Sequence, residues 1–324
     1  MTVFPLPRTA APARGALAGI LALMAVVCLW SSFALSSRAI ESSGLTMTDA
    51  AIVRFGVPAL LLAPWMPRTL RRLRGERPGV LALVLLAGLP HFLLFAGGAH
   101  LTSAALTGLL VPGTVPLFVT LLLLARHRRA IPSRRLAALG LIVAGVAASA
   151  VLTGGPGGPG GIAVLLAAGF VWAAYTLGLA RTGLDPVGVI AIVSLSSLVA
   201  ALALAATGTM PSHLFAGGID PGAWGAYALV QGVGTGLLST ACYVVAVKHL
   251  GSSIPAAAGA LSPVLTALVA VPLLGEALTP GLAIALALIV TGVTLFALAP
   301  ARAAAAKRHD GVPASDPPSA PNRR

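Results

Sequence analysis

Of the 324 residues, 57% are hydrophobic and only 9% are charged, the mean hydropathy is +0.96 and the formal net charge is +13. No water-soluble core of this length requires so much apolar surface, which excludes a soluble enzyme or a free basic domain. No aromatic-basic module accompanies the charge, so no nucleic acid is expected as a partner.

A hydrocarbon slab about 30 Å thick takes roughly 20 apolar residues per helix. The chain divides into ten such runs, near 15–37, 47–66, 79–99, 103–124, 135–152, 161–180, 187–207, 223–247, 254–273 and 280–298. The runs are unbroken, where a β-barrel would alternate over about ten residues. The expected fold is therefore an all-α polytopic membrane protein with about ten transmembrane helices, each satisfying its own backbone polar groups. Residues 1–14 and 300–324 carry too little apolar content to fold alone. The first run follows Arg8 and Arg14 as a signal peptide would, but it is long, contains Trp30 and lacks a small-residue cleavage site. It reads as a retained helix. Cys28 and Cys242 fall inside spans, as small packing residues.

Orientation follows from the arginines. Arg68, Arg71, Arg72, Arg74 and Arg77 lie between spans two and three, and Arg126, Arg128, Arg129, Arg134 and Arg135 between spans four and five. The positive-inside rule makes both loops cytoplasmic and, by counting spans, both termini as well. The charge is then mostly topological, with anionic headgroups of membrane lipids as its partners at the inner surface.

An internal repeat is present. "PLFVTLLLLARHRRAIPSRRLAALGLIVAGV" from Pro116 aligns without a gap to "PVLTALVAVPLLGEALTPGLAIALALIVTGV" from Pro263, an offset of 263 − 116 = 147. "CLWSSFALSSRAI" from Cys28 is answered by "FVWAAYTLGLARTG" from Phe170, which pairs Trp30 with Trp172 at 172 − 30 = 142. Residues 15–152 and 161–299 thus form two five-helix repeats joined by a Gly/Pro linker over 153–160. Five spans per copy turn the second upside down, and inverted repeats are an architecture of secondary transporters.

At the 147 offset Glu276 corresponds to Arg129, so one repeat position carries opposite charges. The expected role of Glu276 is a cap that accepts backbone N–H groups at the start of the last span, just before Pro280. A gating, proton or cation role is the alternative.

The segment "SPVLTALVAVPLLGEALTPGLAIALALIVTGV" resembles the close of the EamA-type transporters of the drug/metabolite transporter superfamily. "LWSSF", Arg54 in "AAIVRFGVPALLL", "AHLTSAALTGLL" and "YVVAVKHLGSS" agree in order, so that the likeness covers nearly all of 15–298. The resemblance implies ten spans, inverted repeats of five, and transport, often export, of amino acids and other small metabolites. One departure is "ARHRRA" after the fourth span, where the family usually has an acid.

Ionisable or polar side chains inside a span face the bundle interior or a wet cavity. Arg54, about two turns into its span, could hold a substrate carboxylate through a bidentate pair or clamp carbonyls, Asp49 or Glu41. His91 follows Pro90 and reads either as a helix-to-helix hydrogen-bonding residue or as a proton carrier. Gln231, in "VQGVGTGLL", could line the cavity or bond between helices, with Gly232 and Gly236 allowing close approach. Trp30, Trp172, Tyr175 and Tyr243 lie within spans and offer aromatic faces to a cargo or to packing, whereas Trp65 and Trp224 fall near span ends as interface anchors.

Enzyme readings lack support. The chain has no Gly-rich loop ending in Lys-Ser or Lys-Thr, no histidine pair at metal spacing and no Cys-x-x-Cys, so no cofactor and no metal is expected. The expected function is a secondary transporter, an exporter of amino acids or other small organic metabolites across a bacterial inner membrane, drawing on protons or another coupling ion. The alternatives are a non-transporting scaffold, a lipid-handling protein or an integral-membrane enzyme.

Overall fold

The computed structural model describes residues 13–127, 131–152, 158–218, 220–250 and 259–299. The N-terminal segment to residue 12, Arg128, Arg129, most of the glycine linker, "GSS" from Gly251 and the tail from residue 300 lie outside the described residues.

All regular structure among the described residues is helical. In chain order the helices are α1 (Ala13–Arg38), α2 (Met47–Leu61), α3 (Met66–Leu73), α4 (Pro78–Leu85), α5 (Leu89–Leu101), α6 (Ala104–His127), α7 (Ser133–Leu152), α8 (Gly158–Leu179) and α9 (Pro186–Ala206). A short α10 (His213–Ala216) and α11 (Pro221–Tyr227) follow. A π-helical stretch over Ala228–Leu238 then leads into α12 (Ser239–Leu250), α13 (Leu261–Leu274) and α14 (Pro280–Leu298).

Eight of these helical segments are long and apolar enough to cross a membrane, and α2 with α3 makes a ninth if the bent pair counts as one span. The chain is therefore a multi-pass membrane protein. Each of the ten apolar runs meets a helix, but two are shorter than expected. α2 has 15 residues because Pro64 and Pro67 follow its end, start new helical turns and bend the axis by 59°. α13 begins at Leu261, after residues 251–258 that lie outside the described residues, and Gly275, at φ +66°, takes the left-handed conformation that closes it at Leu274.

Local chemistry sets the starts. Thr46 and Asp49 form a reciprocal capping box on α2, Asp185 caps α9 ahead of Pro186, and Thr279 caps α14 ahead of Pro280. The third span is broken: α4 ends at Leu85 and α5 begins at Leu89, where the Leu89 amide donates to Ser197 Oγ of α9 at 2.9 Å. Gly88 is needed at that break, since a Cβ there would lie 2.0 Å from Ser197 Oγ.

Helix packing is reciprocal between the halves. α1 runs against α12 and α8 against α5, α6 packs on α8 and α13 on α1, while α2 with α9 and α7 with α14 pair across the middle. The closest seam is α7 with α14. A Cβ on Gly145 would meet Ile289 Cγ1 at 2.5 Å, and a Cβ on Gly292 would meet Ile142 Cγ1 at 2.9 Å. These four residues are related by one offset, 289 − 142 = 147 and 292 − 145 = 147. Gly19 and Gly161, at 161 − 19 = 142, likewise abut the ends of α12 and α5.

Candidate functional site

A cavity of about 220 Å³ opens at the middle of the bundle. Trp30 of α1, Trp172 of α8 and Tyr243 of α12 form its aromatic wall, and Pro116 of α6, Pro263 of α13 and Val293 of α14 complete the apolar lining. Trp30 and Tyr243 stack with ring centroids 5.8 Å apart. Three of the sequence-expected site residues thus come together on one cavity, although they lie far apart in the chain.

The others form a second layer. His91 of α5 lies 4.8 Å from the Trp172 ring and 5.7 Å from Phe95, only 3% exposed, and its Nε2 has no hydrogen-bond partner among the described residues. Pro90 sits in the first turn of α5, after an interruption of the span over residues 86–88. Tyr175 stands one turn along α8 from Trp172, at 5.2 Å, and packs toward the Val84 and Val193 cluster instead of lining the cavity.

Arg54 and Gln231 are absent from the cavity lining and meet each other instead. Arg54 Nη1 donates to Thr235 Oγ1 at 2.8 Å and to Gln231 Oε1 at 3.3 Å. Its guanidinium carbon sits 4.1 Å from the Phe33 ring centroid, with Phe55 at 5.6 Å and Phe92 at 5.8 Å, a cation held by aromatic faces. Gln231, fully buried, turns its amide to Ser36 Oγ at 2.9 Å and to Ser37 Oγ at 3.4 Å. It therefore bonds between helices. Gly232 and Gly236 bring α2 close enough for this, with Val57 and Pro58 within 3 Å of where their Cβ atoms would be.

Asp49 is not the partner of Arg54. Its fully buried carboxylate accepts from Ser212 Oγ at 2.6 Å, from the His213 amide at 3.1 Å and from Thr46 N at 3.0 Å, tying the start of α2 to the segment after α9. His213 Nδ1 lies 3.0 Å from the same carboxylate.

Glu276 is a cap, but of a different helix from the one expected. Its Oε1 accepts from Ala104 N at 2.7 Å and its Oε2 from Ala105 N at 3.2 Å, the first two free amides of α6, while Thr279 caps α14. Arg38 Nε approaches to 3.8 Å without hydrogen-bonding. One carboxylate from the second half thus caps the start of α6 in the first, with the end of α1 close by. Its repeat counterpart, Arg129, lies outside the described residues.

Phe33, Thr235 and Ser197 escaped the sequence reading. Phe33 follows Trp30 by three residues and Thr235 follows Gln231 by four, spacings that put each pair on one helix face. The residues around the third-span break map into the π-helical stretch of the eighth span, since 86 + 142 = 228 and 88 + 147 = 235.

Trp65 is exposed at the α2–α3 bend, as an interface anchor would be, whereas Trp224 is half-buried against the α2 and α9 cluster. Cys28 and Cys242 are free thiols.

No curated protein matches the chain significantly. A solved structure described only as the crystal structure of a protein is similar in fold, with a TM-score of 0.56, at 22% identity over 86% of this chain and 95% of its own. Residues 159–298 match the EamA-like transporter family, a match that supports an EamA-type member of the drug/metabolite transporter superfamily.

Proposed function

We propose that the protein is a secondary transporter that exports a small organic metabolite, amino-acid-like in size, across a bacterial inner membrane by alternating access. The observation that carries this reading is the aromatic cavity, walled by Trp30 from the first half and by Trp172 and Tyr243 from the second. Its volume falls below the roughly 300–1,000 Å³ of pockets that take drug-sized ligands, which suits a cargo of few atoms. The match of residues 159–298 to a transporter family favours transport over an enzyme.

Two inverted five-helix repeats, residues 15–152 and 161–299, are the proposed moving parts, and the reciprocal helix contacts and the exchanged Gly–Ile pairs of α7 and α14 support this division. The arginine-rich loops support an orientation with both termini in the cytoplasm. Trp30, Trp172 and Tyr243 contact the cargo directly in this reading, His91 and Tyr175 back the aromatic wall, and Arg54 and Gln231 lie beyond it. Coupling to protons or another ion is part of the same reading.

Metabolite levels inside and outside cells that lack, express or overexpress the protein test it. Overexpression should lower one internal metabolite and raise it outside, and Trp172→Ala at equal membrane abundance should abolish the difference. Identical metabolite profiles in all strains would refute the reading.

A further inference from the structure

Among the described residues, the interior of the bundle carries a positive charge with no acid paired to it. Arg54 lies in the middle of α2, and no carboxylate comes within ion-pairing distance of it among the described residues. Asp49, five residues away, is committed to Ser212 and His213, Glu276 is committed to the Ala104 and Ala105 amides, and the side chain of Glu41 lies outside the described residues. The groups that hold Arg54 are all neutral, namely Thr235, Gln231 and the Phe33, Phe55 and Phe92 rings.

The bonding also leaves one edge of the guanidinium unused. Only Nη1 donates within the protein, and the Nε and Nη2 groups, which form the side-on fork, make no hydrogen bond among the described residues. Nor are they sealed from contact, for Arg54 is only half-buried and neither atom is a buried orphan. That edge is the one a carboxylate takes bidentately. Phe33 links Arg54 to the cavity wall. Phe33, which stacks under the guanidinium, follows cavity-lining Trp30 by three residues on the same face of α1, a displacement of about 5 Å along the axis.

We infer that Arg54 is the anion subsite of the transport path, and that the cargo is a monocarboxylate or zwitterion whose apolar body sits between Trp30, Trp172 and Tyr243 while its carboxylate reaches the Nε/Nη2 edge. This rests on the transport reading above. An uncompensated cation inside a membrane is costly, and a cargo that supplies the missing negative charge is favoured over a neutral or cationic molecule of the same shape. Thr235 and Gln231 position the guanidinium and leave its fork open.

The test uses three ligands that differ only in the head group: 4-phenylbutyrate, 4-phenylbutyramide and 4-phenylbutylamine. Their four-atom arm spans the turn between Trp30 and Phe33. Binding to the purified full-length protein at pH 7 is read by quenching of tryptophan fluorescence and by thermal shift. The acid should bind about tenfold more tightly than the amide, the scale of a charge-assisted bidentate pair over a neutral one, and the amine most weakly. Arg54→Gln should bring the acid down to the level of the amide and leave the amide unchanged, while Arg54→Lys should keep part of the preference. Equal affinity for all three in the wild type, or an unchanged order in Arg54→Gln, would overturn the anion subsite alone. Failure of any phenyl ligand to bind would overturn the aromatic cavity and this inference together. If the Gln variant does not fold, the wild-type order and the Lys variant decide.

Discussion

Glu276→Gln measures what joins the two halves at the α13–α14 turn. The carboxylate accepts one hydrogen bond per oxygen, from Ala104 N at 2.7 Å and Ala105 N at 3.2 Å. Glutamine keeps one acceptor and turns its NH₂ toward the second amide, so one part-buried N–H loses its partner, at about 1–3 kcal/mol. Removing an anion from a helix N-terminus costs a further 0.3–1 kcal/mol or so. The Arg38 contact adds little, since it is long, not hydrogen-bonded and one-third exposed on the arginine side. Water can reach part of this turn, which discounts the sum to about 2 kcal/mol, or roughly thirtyfold in a local opening equilibrium. Hydrogen exchange resolved to single amides is the assay. Ala104 and Ala105 should exchange roughly thirtyfold faster in the variant, while Leu106, held by Ser103 Oγ at 3.0 Å, should change less. Because the carboxylate acts as a cap, the pH profile of transport between about pH 5 and 8 should persist in the variant. Unchanged exchange at Ala104 and Ala105 with acceleration at Leu282 would return the carboxylate to its own helix and refute the cross-half link.

Three further outcomes follow from the packing. Gly88→Ala places a methyl against Ser197 Oγ and should lower thermal stability by an amount typical of overpacking, about 1–3 kcal/mol; in a double-mutant cycle with Ser197→Ala the two costs should be less than additive, and strict additivity would argue against contact. Gly292→Ala, whose Cβ would lie 2.8 Å from the Ala138 carbonyl oxygen, should destabilise the folded protein in a detergent melt, whereas Gly140→Ala on the open face of α7 should not, and equal melting of the two would remove the α7–α14 seam from the account. On the proposed orientation, a cysteine at Gly158 should react with an impermeant maleimide from outside the cell and one at Arg71 should not, the reverse result overturning the topology.

What the sequence makes legible is what repeats or persists. Apolar runs survive in any register, so all ten segments were readable, and Trp30 and Trp172 stood out because the repeat placed them in equivalent spots that the fold brings to one cavity. Polar partners were not readable in the same way. Asp49 and Arg54 lie five residues apart in one helix, and only the position of Ser212, 163 residues on, decides that the acid turns away. Glu276 shows the same limit. Its proximity in sequence to Pro280 suggested its own helix, yet the free amides of α6 lie nearer in space. The π-helical stretch left no trace beyond the glycines of "VQGVGTG", a pattern equally suited to a plain close contact.

The α7–α14 seam has a mechanical consequence. Its two notches lie at different depths: Ile142 seats at Gly292 toward one side of the membrane, and Ile289 seats at Gly145 one turn toward the other. A tilt of one helix on the other that opens the upper notch must drive the lower isoleucine further into its glycine, where a backbone already stands close. A tilt in either sense is therefore opposed at one of the two notches. On the proposed transport cycle the seam would serve as a fulcrum, a line of fixed length about which levers swing without the pivot itself coming apart, and the travel would belong to the helices farthest from it.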